Sequence, residues 1–162
     1  MHVLISHDDF SQRMQLKIAF KKAGFTVTST GRRAEADAFL RRQVVDVLVV
    51  AERVEGHLTH ALALLAECRN PMVETILMTS RNDGAVEELY VMLPSLHCLV
   101  GPDVPAKLIT KLAIAAVQGA TDRSVPMPLL ESYRIDDETG INRDVFLAHL
   151  RREPAPSALA MA

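Results

Sequence analysis

Along residues 1–118, short β-branched runs of strand length alternate with longer stretches whose apolar residues recur three and four positions apart. Val3–Ser6 reads as a first strand and Asp9–Ala23 as a helix ended by Gly24. Phe25–Thr28 reads as a second strand, and from Gly31 a turn leads into a helix through Gln43. Val45–Val50 is apolar except for Asp46, the pattern of a strand covered on both faces of a parallel sheet, so it is predicted to be central. His57–Arg69 is predicted helical, Glu74–Thr79 a fourth strand, and Gly84–Leu93 a helix stopped by Pro94. Cys98–Val100 makes a short fifth strand. Pro105 opens a fifth helix through Gln118, in the first turn where its missing N–H costs nothing.

Strands and helices in strict alternation predict an α/β fold: a doubly wound five-stranded parallel sheet, order 2-1-3-4-5, with right-handed crossovers and helices on both faces. In such a sheet a ligand site lies beyond the carboxyl ends of the strands, where the winding direction switches. That rim collects His7, Asp8, Asp9, Ala51, Glu52, Thr79 and Gly101.

The texture changes after Gln118. Residues 119–130 carry Gly, Thr, Asp, Ser and proline and read as a linker. Residues 131–152 read as a small helical extension, in which Asn142 caps a helix with Phe146, His149 and Leu150 on one stripe, while Arg151 and Arg152 suit the negative end of its dipole. Residues 153–162, with two prolines and small side chains, are expected to be disordered.

Composition narrows the class of function. At 162 residues with 49% hydrophobic and 23% charged residues, one domain with a sizeable core plus an appendage is expected. A net charge of -2 with interspersed signs offers no footing for nucleic acid or an anionic membrane. Cys68 and Cys98 lack a C-x-x-C spacing, which argues against a disulfide framework and a zinc site. No apolar run reaches the length of a membrane span, so a cytoplasmic protein is expected.

Four segments, VLISHDDF, VDVLVVAE, ILMTS and CLVGP, occur in the right order on the right strands and resemble the receiver domains of two-component response regulators. In that family a histidine kinase passes a phosphoryl group to an aspartate. Two acids after the first strand hold a divalent metal, and a Ser/Thr hydroxyl and a lysine contact the phosphoryl oxygens. By position the acidic pair corresponds to His7 and Asp8, with Asp9 following, and the nucleophile to Ala51. Thr79 matches the hydroxyl, Gly101 stands where lysine should precede Pro102, and Cys98 takes the aromatic switch position. The resemblance therefore implies a pseudo-receiver with no catalytic residue and no cofactor, Mg²⁺ binding at most weakly at Asp8 and Asp9. Glu52 follows the empty acceptor position. Strand alternation predicts that its side chain points away from the pocket.

A second, shorter resemblance covers DDETGINRDVFLAHLRR, Asp136 to Arg152, which is similar to the opening of a GGDEF domain: Asp136, Thr139, Gly140, Asn142, Arg143 and Phe146 match, with Glu138 where leucine is usual. No Gly-Gly-(Asp/Glu)-Glu-Phe turn occurs in these residues, so cyclic di-GMP synthesis is not expected of them. A capped helix after a glycine turn explains the same residues.

His57 and His60 stand three apart and are read as an exposed, metal-free pair, with His97 at the far end of its strand. On the fifth helix, Leu108, Leu112 and Ala115 are expected to cover the sheet. Ile109, Ala113 and Ala116 would then extend an apolar surface with Tyr90, Val91, Met92 and Cys98, the face receivers commonly use to dimerise. The tail helix would cover that surface equally well.

The expected function is a non-phosphorylatable regulatory module, a homodimer that binds a signalling protein such as a kinase, a phosphotransferase or an output regulator. Two readings stand beside it: a phosphotransfer receiver using His7 or Glu52, and a small-ligand sensor using the space left by Ala51 and Gly101.

Overall fold

The apolar runs pair as parallel strands in the computed structural model, which describes residues 1–81, 83–120, 135–136 and 140–141. The main sheet contains β1 (His2–Ser6), β2 (Thr26–Thr30), β3 (Val47–Ala51), β6 (Glu74–Met78) and β7 (Leu96–Val100), in the order β2-β1-β3-β6-β7. Between β3 and β6 lies a short antiparallel pair, β4 (Arg53–Val54) and β5 (His57–Leu58). Apart from the labels this pair adds, the order is the predicted one. The helices are α1 (Phe10–Lys22), α2 (Arg33–Arg42), α3 (His60–Arg69), α4 (Val86–Met92) and α5 (Ala106–Ala120).

β3 is buried at every position, as its unbroken apolar run requires for a strand with neighbours on both edges and helices on both faces. Two cores result. Leu4, Leu48, Val50 and Leu77 pack with Leu40, Leu62, Ala66 and Leu89 of α2, α3 and α4. Val3, Ile5, Val49 and Ile76 pack with Leu16 and Phe20 of α1 and Ile109 and Ala113 of α5. Each of the buried Val, Leu, Ile and Phe side chains contributes roughly 1.5–3 kcal/mol, the alanines less.

Two expectations about elements change. The third helix begins at His60, not His57. Glu55 and Gly56 both have positive φ, 54° and 77°, the backbone of a two-residue hairpin turn, so the chain reverses there and His57 pairs with Val54. The fifth strand starts at Leu96, because pairing with Thr75 extends it past the residues that look strand-like alone.

The chain divides into two units, Met1–Ala120 and Thr121–Ala162. In the second, β8 (Ile135–Asp136) pairs antiparallel with β9 (Gly140–Ile141), so within the expected helical extension these residues are strand. Gly119 and Ala120, expected to open the linker, instead continue α5; residues 121–130 of the linker, the helix expected from Asn142 and the tail 153–162 lie outside the described residues.

Candidate functional site

The rim is built where β1, β3 and β6 end side by side: Ser6 is level with Val50, and Ala51 with Met78. β3 therefore delivers Ala51 to the centre of the rim, 9% exposed, with only a methyl group to offer. Its carbonyl accepts the buried Thr59 hydroxyl at 2.6 Å, and the same hydroxyl lies 3.1 Å from the Glu52 carbonyl.

The acidic side chains around Ala51 are all engaged. Both carboxylate oxygens of Asp8 accept the backbone N–H of Glu55, at 2.9 and 3.0 Å, so the tip of the β4–β5 hairpin is tied to the end of β1. Glu55 in turn accepts the Arg33 N–H at 3.0 Å at the start of α2. Asp9 caps α1, accepting the Gln12 N–H at 2.7 Å, and its own N–H donates to His7 Nδ1 at 2.9 Å. Among the described residues, no group of three or more His, Cys, Asp or Glu side chains is arranged to hold a metal ion.

Glu52 corrects the alternation argument. Its carboxylate turns into the pocket, where Oε2 accepts the Thr79 hydroxyl at 2.5 Å and Oε1 pairs with Arg81 Nη1 at 3.0 Å. The residue lies one position past β3 and its backbone N–H still bonds the Met78 carbonyl. Beyond the strand end no pleat dictates direction, and the cation and the hydroxyl do. Its side chain is only 13% exposed. The Thr79 hydroxyl also accepts the Arg81 N–H at 3.0 Å, and Arg81 Nε lies 3.6 Å from Asp83, so the β6–α4 loop is stitched to β3.

Burial holds the His7 imidazole below its ordinary value of 6.5, against the raising pull of Asp9 and Asp8 and with a lowering push from Arg13. Arg13 donates to the His7 carbonyl at 2.5 Å and to the Asp8 carbonyl at 3.2 Å. A Cβ on Gly31 would stand 2.6 Å from the Arg13 Nη1 atom, so a side chain there would push the guanidinium out of this position. At Gly101 there is open space where a side chain would project, and Pro102 next to it accepts Gln12 Nε2 at 2.8 Å.

Four participants escaped the sequence reading: Arg13, Glu55, Thr59 and Arg81. Gly56 was a partial turn signal available in the chain, although Glu55 before it is not a residue that favours positive φ. The other three act across loops, and nothing local marks them.

The expected apolar face needs correction. Ile109, Ala113 and Ala116 are buried against the sheet, at 0%, 0% and 1% exposure, while Leu108 is 47% exposed. α5 is thus turned by about one residue, 100°, from the expected orientation. Lys107, Lys111 and Gln118 lie on the exposed face of α5, beside Leu108 and Ala115, so the polar positions of the helix already favour the stripe that packs against the sheet and α1. Val91 and Met92 do face outward, at 70% and 49%. Tyr90 and Cys98 are half-buried. His57 and His60 fall on separate elements, and His97 Nδ1 lies 3.5 Å from Glu74 Oε2 at the opposite end of the sheet.

No family model matches the chain, and no curated protein matches it in sequence. Solved structures do. A CheY-like response regulator receiver domain from Methanospirillum hungatei superposes with a TM-score of 0.68 at 12% identity, over 76% of this chain and 98% of that one. The N-terminal domain of a response regulator/sensory box/GGDEF protein from Carboxydothermus hydrogenoformans gives 0.65 at 16%, over 77% and 100%. The receiver domain of a modulated diguanylate cyclase from Desulfovibrio desulfuricans gives 0.63 at 16%, over 76% and 98%. At these identities the likeness establishes the fold, the flavodoxin-like fold of receiver domains. Among the described residues no helix is long and apolar enough to cross a membrane.

Proposed function

We propose that this chain is a pseudo-receiver: a non-enzymatic, cytoplasmic regulatory module of two-component or cyclic di-GMP signalling whose conformation is set by internal bonds instead of phosphorylation. One observation carries the reading. The Thr79 hydroxyl, which the resemblance assigns to a phosphoryl oxygen, is already taken by the Glu52 carboxylate, while the strand end beside it is Ala51. Asp8 supports it, since its two oxygens hold the Glu55 N–H where metal ligation would need them free. The receiver domain of a modulated diguanylate cyclase and the N-terminal domain of a response regulator/sensory box/GGDEF protein are among the solved structures that share the fold, which supports the cyclic di-GMP setting.

The partner is a kinase, a phosphotransferase or an output regulator, met on the side of the edge strand β7 where Val91, Met92 and Leu108 are exposed. The same residues support a homodimer, which light scattering of the full chain and of Val91→Asp would detect.

Incubation with acetyl phosphate and Mg²⁺ followed by intact mass tests the central claim. No added phosphoryl group is expected. Ala51→Asp alone is also expected to stay unmodified, because Asp8 remains tied to the hairpin and Gly101 supplies no cation. A specific observation favours one rival: Glu52 sits inside the pocket. A phosphoryl adduct that disappears in Glu52→Gln would establish that residue as an acceptor and overturn the inert reading, and an adduct on His7 would overturn it equally.

A further inference from the structure

The lysines of this chain are segregated. All five, Lys17, Lys21, Lys22, Lys107 and Lys111, lie on α1 and α5, the helices that pack side by side on one face of the sheet. Neither helix contains an aspartate or glutamate. On the opposite face, α2 and α3 mix acids with arginines, as in the Arg41–Asp37 pair, and α4 adds Glu87 and Glu88. The net charge of -2, from which no membrane contact is expected, therefore averages two unlike sides.

We propose that the α1 and α5 side docks on an anionic phospholipid surface. Four of the lysines are exposed and Lys17 is half-buried, and none forms an ion pair among the described residues. Phe10, Met14 and Ile18 recur every four residues along α1, and Phe10 and Ile18 are 67% and 49% exposed. Apolar side chains set among lysines suit a bilayer interface: they enter the acyl boundary, while each lysine stem lies along it with its ammonium at the phosphates.

Other polyanions fit less well. These apolar residues stand on a convex helix, where a helical protein partner would seek a groove. Nucleic-acid phosphates are met best by arginine, and Arg13, the one arginine on the two helices, is held by the carbonyls of His7 and Asp8. Asp9 and Asp103 stand at the rim end of this face, so the positive potential is strongest further along α1, around Ile18, Lys21 and Lys22.

Flotation of the full chain with vesicles of phosphatidylcholine alone, or with about 30% phosphatidylserine, tests this. Binding is expected only to the anionic vesicles and should be lost at about 0.5 M NaCl. Each lysine near such a surface strengthens binding about fivefold, so Lys21→Gln with Lys22→Gln should weaken it about 25-fold. Ile18→Ser should weaken it with no change of charge. Arg41→Gln with Arg42→Gln, the same charge change on the opposite face, should leave it unaltered. The proposal is overturned if the chain ignores anionic vesicles or binds neutral ones equally, if the lysine and arginine variants weaken alike, or if Ile18→Ser binds as well as the unaltered chain. Tighter binding to duplex DNA or to an acidic peptide at equal charge concentration would also overturn it, assigning the face to nucleic acid or to a protein.

Discussion

The Glu52 carboxylate accepts the Thr79 hydroxyl at 2.5 Å, joining the end of β3 to the end of β6 through a side chain that strand alternation would have sent the other way. Arg81 holds the second oxygen, so the carboxylate is satisfied although mostly buried. Thr79→Val removes the hydroxyl and leaves the carboxylate short of a partner. The expected loss is about 1–3 kcal/mol in urea unfolding. A double-mutant cycle with Glu52→Gln should give a coupling of at least about 0.5 kcal/mol. Additive effects would show that the contact contributes nothing.

Asp8 is a structural tether, and its removal should loosen the hairpin while sparing the sheet. Asp8→Ala frees the Glu55 N–H, whose amide should then exchange with deuterium at least about tenfold faster, as expected when a charge-assisted bond of about 1.5–3 kcal/mol is lost. Amides of β3 and β6 should be unchanged. Equal acceleration throughout would mean global destabilisation and would refute a local role.

The two thiols differ in reactivity. Cys68 is exposed, whereas burial, aided by the negative charge of Glu74, pushes the Cys98 thiol up to about 11. At pH 8 iodoacetamide should modify Cys68 in the native protein and reach Cys98 only after denaturation, giving one adduct and then two by mass. Prompt double labelling of the folded chain would contradict the packing of β7 against α5.

His7 makes stability pH-dependent. Because its pKa is lower in the folded chain than the unfolded value of 6.5, the unfolded state binds more protons in between. The stabilisation is present in full above pH 6.5 and declines as pH falls from there through the folded pKa. Urea midpoints measured from pH 8 to 5 should fall over that window, and His7→Gln should flatten the slope. A midpoint that rises on acidification would reverse the assignment.

The reading of the chain as a doubly wound parallel sheet, and of its strand order, rested on local quantities. The unbroken apolar run at Val47–Ala51 and the alternation of strand-length and helix-length periods are properties of neighbouring residues, and burial follows from them. The rim could be placed in advance for the same reason, since the ends of strands are set by where those runs stop. His7, Asp8, Ala51, Thr79 and Gly101 therefore stand at the strand ends that the motifs indicated.

On α5 the buried stripe of Ile109, Ala113 and Ala116 lies opposite the exposed Lys107, Lys111 and Gln118, so its orientation was legible once the polar positions are weighed with the apolar ones. Where a side chain's partner comes from another element, neighbouring residues alone did not choose it. Glu52 lies beyond the last pleat, and its direction was decided by Arg81 and Thr79 arriving from another strand. Asp8 stands where the resemblance puts a weak Mg²⁺ position, and the backbone N–H that occupies both its oxygens comes from a hairpin 47 residues away. Periodicity is inherited from adjacent residues, whereas the partner of a charged group at a loop is whichever group tertiary folding brings within hydrogen-bond reach, and only the assembled sheet determines that.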